Sequence, residues 1–307
     1  MPSLITNNQF FRLTSTVVTK RYSDTVKEEP ETYSQIMNEM PPDKRPFIQL
    51  QKYTGMGLMS QFVDGNPVAY DEPSETTSFF ATFLKYGLGY KYTEDANDDD
   101  YAKMLGTLSG MLAYSRIITE EYLYWNIFNQ GFNGAVTGTD GISLFSNAHP
   151  VTKVPSLTQN NTGGTMALSP EGLFAAKISF KSLVDERGLP ITRTPKTLVV
   201  PLELEMAAKE MLGSDKYPYS NENRPNVQKG AFSLCVSRYL SSPTAWFVMA
   251  GKGEPGSDCH PLFVSHKYKD RQQTWTNKET STFGHKAYFR SIWGFYNFLG
   301  AYGSQGS

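Results

Sequence analysis

Residues 94–132, EDANDDDYAKMLGTLSGMLAYSRIITEEYLYWNIFNQGF, decide how the rest of the chain is read. Apolar side chains recur at Tyr101, Met104, Leu105, Leu108, Met111, Leu112, Ile118, Tyr122 and Trp125, the three-and-four spacing of one helical face. Asp98, Asp99 and Asp100 stand at the expected start, where unsatisfied backbone N–H groups favour negative charge. Gly131 stands where such a helix should stop. The spacing predicts a helix over about 97–130, roughly 40–45 Å long at ~1.5 Å per residue. That length exceeds an ordinary helix of a compact domain, so the segment reads as a spine.

Upstream, residues 1–48 are polar and poorly periodic, and KEEPETYSQIMNEMPPDKRP carries charges and a Pro-Pro pair. They predict an extended arm with at most one short helix, ordered by something outside itself. Residues 49–92 hold short β-prone pieces around Asp64-Gly65-Asn66-Pro67, a hairpin-tip signal. The polar return DEPSETTS predicts a hairpin that projects rather than packs.

Downstream, 132–168 is rich in Gly, Thr and Asn. LSPEGLFAAKISFKSLVDERG predicts a helix with Ser169 as N-cap, Pro170 at the first position and Gly188 closing it. TPKTLVVP, Thr194–Pro201, is short, nearly all apolar and bounded by prolines, which predicts a buried central strand. LELEMAAKEML predicts another helix, and β-prone segments dominate from Ala231 onward: FSLCVSRYL, TAWFVMA, LFVSHKY, QQTWTNKET and KAYFRSIWGFYNFLGAY. The fold class expected is α+β.

The chain has 307 residues with 29 basic and 30 acidic side chains, a net charge of −1, and no run of Lys or Arg. This argues against a dedicated nucleic-acid binder, which shows a basic stripe. Aromatics reach 13% against 19% charged residues, which fits either a Tyr-rich core or surfaces buried between subunits. Cys235 and Cys259 form no CxxC and have no ligand pattern nearby. MPSLITNNQFFRLTS has no basic-then-apolar leader, and no apolar run approaches the ~20 residues that span a bilayer. A soluble product of a reducing cytoplasm is expected.

Chemical candidates are few. Asp140, Ser143 and His149 fall close together in TDGISLFSNAHP, but GISLF is not a G-x-S-x-G elbow. A serine hydrolase on Ser143 and His149 is therefore the minor reading, and loop residues that hold the backbone the major one. The DCHPLFVSH stretch, with Asp258, Cys259, His260 and His266, lacks metal-ligand spacing. Gly251, Gly253 and Gly256 lack the order of a phosphate loop. No cofactor, metal or catalytic residue is expected.

The order of elements resembles the major capsid proteins of tailed bacteriophages, the Hong Kong 97-type fold, and most of all the Mu-like major head subunits. YGLGYKYTEDANDDD is similar to that group's entry into the spine helix. NIFNQGF with GTDGISLFSNAHP resembles the loop after the spine, LSPEGL through EMAAKEML the opening of the capsomer-centre domain, and SSPTAWFVMAG a later strand. The resemblance runs over roughly residues 50–300. It implies an N-terminal arm (1–48), an E-loop (49–92), a P-domain (93–165 and 263–289) and an A-domain (166–262 and 290–307). It further implies hexamers and pentamers closing an icosahedral shell around double-stranded DNA in the virion, made in the cytoplasm of a bacterial host. It leads us to expect a separate scaffolding protein, a portal, room for a decoration protein, non-specific contact with DNA and no membrane. A cargo-enclosing nanocompartment is the alternative within the fold. The contact residues expected at the E-loop tip are Phe62, Val63, Asp64, Gly65, Val68 and Tyr70. Lys52 and Lys85 only flank the hairpin, so a covalent lysine cross-link is not expected.

Overall fold

A computed structural model of the chain describes residues 7–29, 31–42, 44–62, 64, 67–99, 102–217, 224–252 and 261–307. In chain order the elements are α1 (Asn7–Glu28), β1 (Asn38–Met40), β2 (Phe47–Tyr53), β3 (Glu75–Thr82), β4 (Leu84–Thr93), α2 (Glu94–Asp98) and α3 (Ala102–Asn129). There follow β5 (His149–Pro150), β6 (Thr158–Gln159), α4 (Pro170–Lys181), β7 (Pro195–Pro201), α5 (Glu205–Gly213), β8 (Ser233–Ser237), β9 (Trp246–Ala250), β10 (Leu262–Asn277), β11 (Thr282–Phe295) and β12 (Ala301–Ser304). Two four-stranded sheets, ordered β1-β10-β11-β4 and β12-β9-β7-β8, stand beside the two-stranded β2-β3 and β5-β6. The class is α+β, as expected.

The spine is α3, 28 residues long, preceded by the short α2. Thr93 caps α2, its hydroxyl accepting from Ala96 N, with Glu94 and Asp95 in the first turn. The expected start of one continuous helix thus divides at Asp99, the C-cap residue of α2. The buried stripe of α3 also differs from the apolar one read in sequence. Leu105, Leu112 and Trp125 are buried, but Met104, Met111 and Tyr122 are exposed. The places they vacate are taken by polar residues: Ser109, Arg116, Glu120 and Glu121 are all buried. Each has at least one polar partner, which is why a polar stripe can face inward, although Arg116 Nε and Glu120 Oε1 have none. Ser109 Oγ donates to the Val18 carbonyl at 2.6 Å, and Arg116 donates to Glu120 at 2.6 Å. Glu121 accepts from Thr32 N and Oγ1 and from the Trp125 indole at 2.5–2.8 Å.

Those contacts correct the expectation for the N-terminal segment. It carries a 22-residue helix, and α1 packs on α3 of its own chain, with Val18 and Tyr22 buried. Among the described side chains of α1 only Val18 and Tyr22 are apolar and buried, so the segment looked polar overall. Glu121 then ties Thr32 to the spine, and Tyr33, Ile36 and Met37 join the main core.

The second sheet shows why TPKTLVVP is nearly all apolar. Successive strand residues face opposite ways, and here both ways are covered. Leu198 and Val200 of β7, with Trp246 and Val248 of β9, face α4 and α5. Val199, Phe247 and Met249 face the other core, where Trp125 and Phe128 of the spine meet Phe145. The strand lies inside the sheet, as expected. Ser169 caps α4 through its hydroxyl and Gly172 N, with Pro170 at the start. The helix stops at Lys181, however, and Gly188 (φ 82°) serves a turn that begins at Asp185. Gly131 lies just past the end of the spine and is glycine for a steric reason: a Cβ there would lie 2.7 Å from the Phe145 ring.

The expected 49–92 hairpin is divided between two sheets. β2 and β3 pair with each other, while β4 pairs with β11, about two hundred residues later in sequence. LFVSHKY and QQTWTNKET, read as separate pieces, are one strand, β10, whose bulges fall between His266 and Arg271. β11 carries its odd-numbered side chains, His285, Ala287, Phe289 and Ser291, into the interior. Its other face, in register with β4 and β10, gathers Lys85, Lys91, Arg271, Lys286 and Arg290. This corrects the reading that the chain has no basic stripe: three strands distant in sequence build one.

Candidate assembly surface

Residues 54–74 join β2 to β3, and the described residues among them form no helix or strand. A loop of that length without a core of its own is uncommon unless it is functional. Its apolar side chains are in water: Met59 and Tyr70 are 101% and 93% exposed, and Met56, Leu58, Phe62 and Val68 are more than half exposed. Asp64 is exposed too, whereas Val63 and Gly65 lie outside the described residues. Of the six tip residues expected from sequence, four are therefore placed, and all four face solvent. The sequence reading missed Met56, Leu58 and Met59. Their signal was present, since GMGLM puts large apolar residues where no strand or helix can bury them.

The loop leaves its base held on one side. Asp71 Oδ2 accepts from Gly57 N and from Arg187 Nη1, each at 2.7 Å, and Lys52 pairs with Glu186. Hydrogen bonding from Gly57 N–H, then from Arg187, holds the Asp71 carboxyl below its ordinary range. At Glu186, burial pushes the carboxyl up but Lys52 outweighs it, and the group ionises more readily than usual. Both clamps fall on the turn that contains Gly188, so the hairpin does not simply project: its base is fixed and its tip is free. At the other end of the β2–β3 ribbon, where Phe47 pairs with Thr82, lies an open groove of about 770 Å³ lined by Phe47, Phe80, Thr82, Leu84, Ile292 and Trp293.

The Asp140, Ser143 and His149 group is a structural knot. His149 is 1% exposed, in a two-residue strand pairing with β6 rather than an open loop. Its Nδ1 lies 2.6 Å from Asp140 Oδ2, and its Nε2 lies 3.2 Å from Asn161 Oδ1. Its ring stacks on Phe298 at 3.8 Å. Asn161 Nδ2 donates to the carbonyls of Leu144 and Ala301, so its amide oxygen is the atom turned to the histidine. Neither ring nitrogen is left to take a proton from Ser143, whose Oγ bonds the Phe145 carbonyl at 3.3 Å. The geometry of a nucleophile and base within hydrogen-bond reach is not formed.

A second buried polar group lies where the spine meets β10. Burial pushes the Glu120 carboxyl up to about 7, against the pull of Arg116. Burial pushes His266 down to about 4, and its Nδ1 stands 4.0 Å from Glu120 Oε1. Glu31, bonded by Lys269 and Tyr33, closes the cluster. Among the described residues no group of His, Cys, Asp and Glu has metal-binding geometry, and no helix is long and apolar enough to cross a membrane. Cys235 is buried and free, and Cys259 and His260 lie outside the described residues.

A spine helix packed on a long antiparallel sheet, a clamped hairpin with an apolar tip and a second body on a mixed sheet together define a shell-forming fold of the Hong Kong 97 type. The bacteriophage JBD30 capsid is similar, with a TM-score of 0.58 at 13% identity over 69% of this chain and 92% of that one. The capsid of cyanophage P-SCSP1u gives 0.56 at 9% identity, covering 91% and 89%. That of the empty GTA particle gives 0.53 at 11%, covering 89% of each. No relative was found among curated protein sequences. The phage capsid protein family model matches residues 76–302, and the chain belongs to that family. It is a major capsid shell protein, and the hydrolase reading of Ser143 and His149 has no support.

Proposed function

We propose that copies of the chain join as hexamers and pentamers into the icosahedral head shell of a phage, enclosing double-stranded DNA. The observation that carries this is the row of exposed apolar side chains on residues 56–70, which the chain cannot bury on itself. Apolar surface leaves water at about 25 cal/mol per Å², and an interface is where such surface is absorbed. In this reading the β2–β3 hairpin with its loop is the E-loop. The spine and long sheet form the P-domain, and the body on β12-β9-β7-β8 is the A-domain. Val63 and Gly65 share the contact role of Phe62, Asp64, Val68 and Tyr70. A separate scaffolding protein and a portal are the assembly partners, a decoration protein is an optional one, and the packaged genome is met weakly and without sequence preference. The chain is made in a bacterial cytoplasm and catalyses no reaction. Electron microscopy of the concentrated purified protein tests the proposal. Rings, tubes or closed shells are the expected result, and a small monodisperse monomer under every condition contradicts it.

A further inference from the structure

We propose that β4, the outer strand of the long sheet, accepts an added strand from a second protein, an extended segment whose side chains alternate between apolar and acidic. The inference goes beyond the shell reading and does not depend on it. In the order β1-β10-β11-β4 the two ends of the sheet differ. β1 has three residues, whereas β4 has ten, LKYGLGYKYT, roughly 34 Å at ~3.4 Å per residue. β4 pairs with β11 from Leu84 to Thr93 without a bulge. In such a ladder alternate residues turn their N–H and C=O away from the partner strand. Among the described residues no backbone group meets those of β4 on that side. Sheets blunt an open edge with proline, a bulge, shortness or cover. β4 has no proline and no bulge, and none of its residues is buried.

The two sides of this edge specify what can lie on it. Register puts Leu84, Tyr86, Leu88 and Tyr90 on the spine side, opposite Ser291, Phe289, Ala287 and His285. Leu84 and Leu88 are nonetheless 48% and 58% exposed, because the spine packs mainly over β11. Beside them opens a cavity of about 210 Å³ lined by Tyr86, Leu88, Leu112, Ser115, Thr119 and Phe289. An added strand would turn apolar side chains to this shelf. The other side holds Lys85, Gly87, Gly89 and Lys91. The glycines keep it low: a Cβ at Gly89 would lie 2.8 Å from the His285 carbonyl oxygen. Lys85 Nζ lies 4.4 Å from the Tyr288 ring centroid. Among the described residues neither lysine has a carboxylate partner.

The same lysines decide where the strand comes from. Two copies joined β4 to β4, antiparallel and centred on Leu88, would set Lys85 against Lys91 at both ends. Like charges directly opposite are destabilising, so the edge rejects its own copy and favours an acidic strand. Strand addition takes its affinity from main-chain hydrogen bonds and its specificity from alternate side chains. A segment with carboxylates spaced as Lys85 and Lys91 are, and apolar side chains between them over Leu84 and Leu88, meets both sides of the edge.

The probe is a labelled peptide of alternating valine and glutamate, as long as β4, titrated onto the unassembled full-length chain. Fluorescence anisotropy reads binding, and hydrogen exchange reads the amides of residues 84–93. Saturable binding is expected, with the outward β4 amides slowed by about tenfold or more. Lys85→Glu with Lys91→Glu should weaken it by about tenfold or more and turn the preference to a valine–lysine peptide of the same length. Leu88→Ser should weaken it severalfold with the charge preference kept. Circular dichroism reports folding. Should the reversal disturb it, Lys85→Gln with Lys91→Gln is read instead, with the same direction and a smaller loss. No binding at peptide concentrations up to about 1 mM, binding without slowed exchange at 84–93, or binding indifferent to charge reversal overturns the proposal. Slowed exchange at 84–93 on assembly of the unmodified chain alone assigns the edge to a second copy, which overturns it and leaves the shell reading standing. A chain that binds the peptide as expected but never assembles overturns the shell reading alone.

Discussion

The sheet at β7 and β9 and the loop between β2 and β3 are both rich in large apolar residues, and the molecule treats them in opposite ways. In the sheet, Leu198, Val199, Val200, Trp246 and Phe247 are at most 2% exposed, each strand closed on both faces by its own chain. In the loop, Met59 and Tyr70 stand fully in water. One region completes its burial on folding, and the other leaves it for another molecule. Stability of the subunit should therefore reside in the first region and stability of the shell in the second.

The sharpest break of that contrast is in the sheet. Phe247 packs against Phe128, Phe132 and Phe145 at centroid distances of 4.9–6.0 Å. Phe247→Ala is expected to cost about 3–5 kcal/mol of subunit stability, measured by chemical denaturation, and to impair assembly only through loss of folded protein. A change below about 1 kcal/mol would mean this core is not what holds the body together.

The His149 knot joins the body to the loop after the spine, and it should weigh less. His149→Ala leaves Asp140 Oδ2 without its 2.6 Å partner and takes from Asn161 Oδ1 one of its two contacts, Ser146 N–H remaining. A loss of about 1–3 kcal/mol is expected, with no change in any background esterase rate. Loss of a robust hydrolytic activity on this substitution would reinstate the reading of Ser143 and His149 as a reactive pair.

The cluster at the spine should show itself through pH. Glu120, raised to about 7, contributes stability that is present at low pH and lost as pH rises from its unfolded value of about 4.3. His266, lowered to about 4, contributes stability that is present above its unfolded value of about 6.5 and lost as pH falls. Over about pH 4.5–6.5 the Glu120 slope opposes that of His266 and that of His285, which burial also lowers, so the slopes partly cancel in the unmodified subunit. His266→Phe should tilt the dependence toward the Glu120 slope relative to the unmodified subunit, by at most ~1.4 kcal/mol per pH unit. Glu120→Gln should tilt it the other way. Denaturation midpoints across that range decide the sign.

The smallest effect on the fold belongs to the loop. Phe62→Ser with Tyr70→Ser should leave circular dichroism and melting of the unassembled subunit nearly unchanged, within ~0.5 kcal/mol, because these side chains touch little of their own chain. The same variant should fail to assemble or give fragile shells. An unfolded subunit would show instead that the two side chains belong to the chain's own core.

How much of this was legible in sequence follows the same division. TPKTLVVP and the Ser169–Pro170 helix start were readable because their signals are local, in residue type and spacing. The apolar loop tip was readable for the converse reason: nothing nearby can cover it. What escaped was non-local. The pairing of β4 with β11 joins segments some two hundred residues apart. β10 looked like two strands because Lys267, Lys269, Asp270 and Arg271 interrupt its apolar pattern at the bulges. The buried stripe of α3 was misplaced because Arg116, Glu120 and Glu121 occupy inward positions that only their partners make tolerable. The basic face could not be seen either, because one or two cations per strand is unremarkable until three strands align.

The most direct test of the central claim is oxidative labelling of Met59 and Tyr70 in the unmodified protein, first as free subunit and then as assembled shell, read by mass spectrometry. Strong labelling of both in the subunit and protection of about tenfold or more in the shell is the expected result, with the buried Trp246 and Phe247 protected in both states. Equal labelling of Met59 and Tyr70 before and after assembly would contradict the account, because the loop would then be free of the neighbouring subunit.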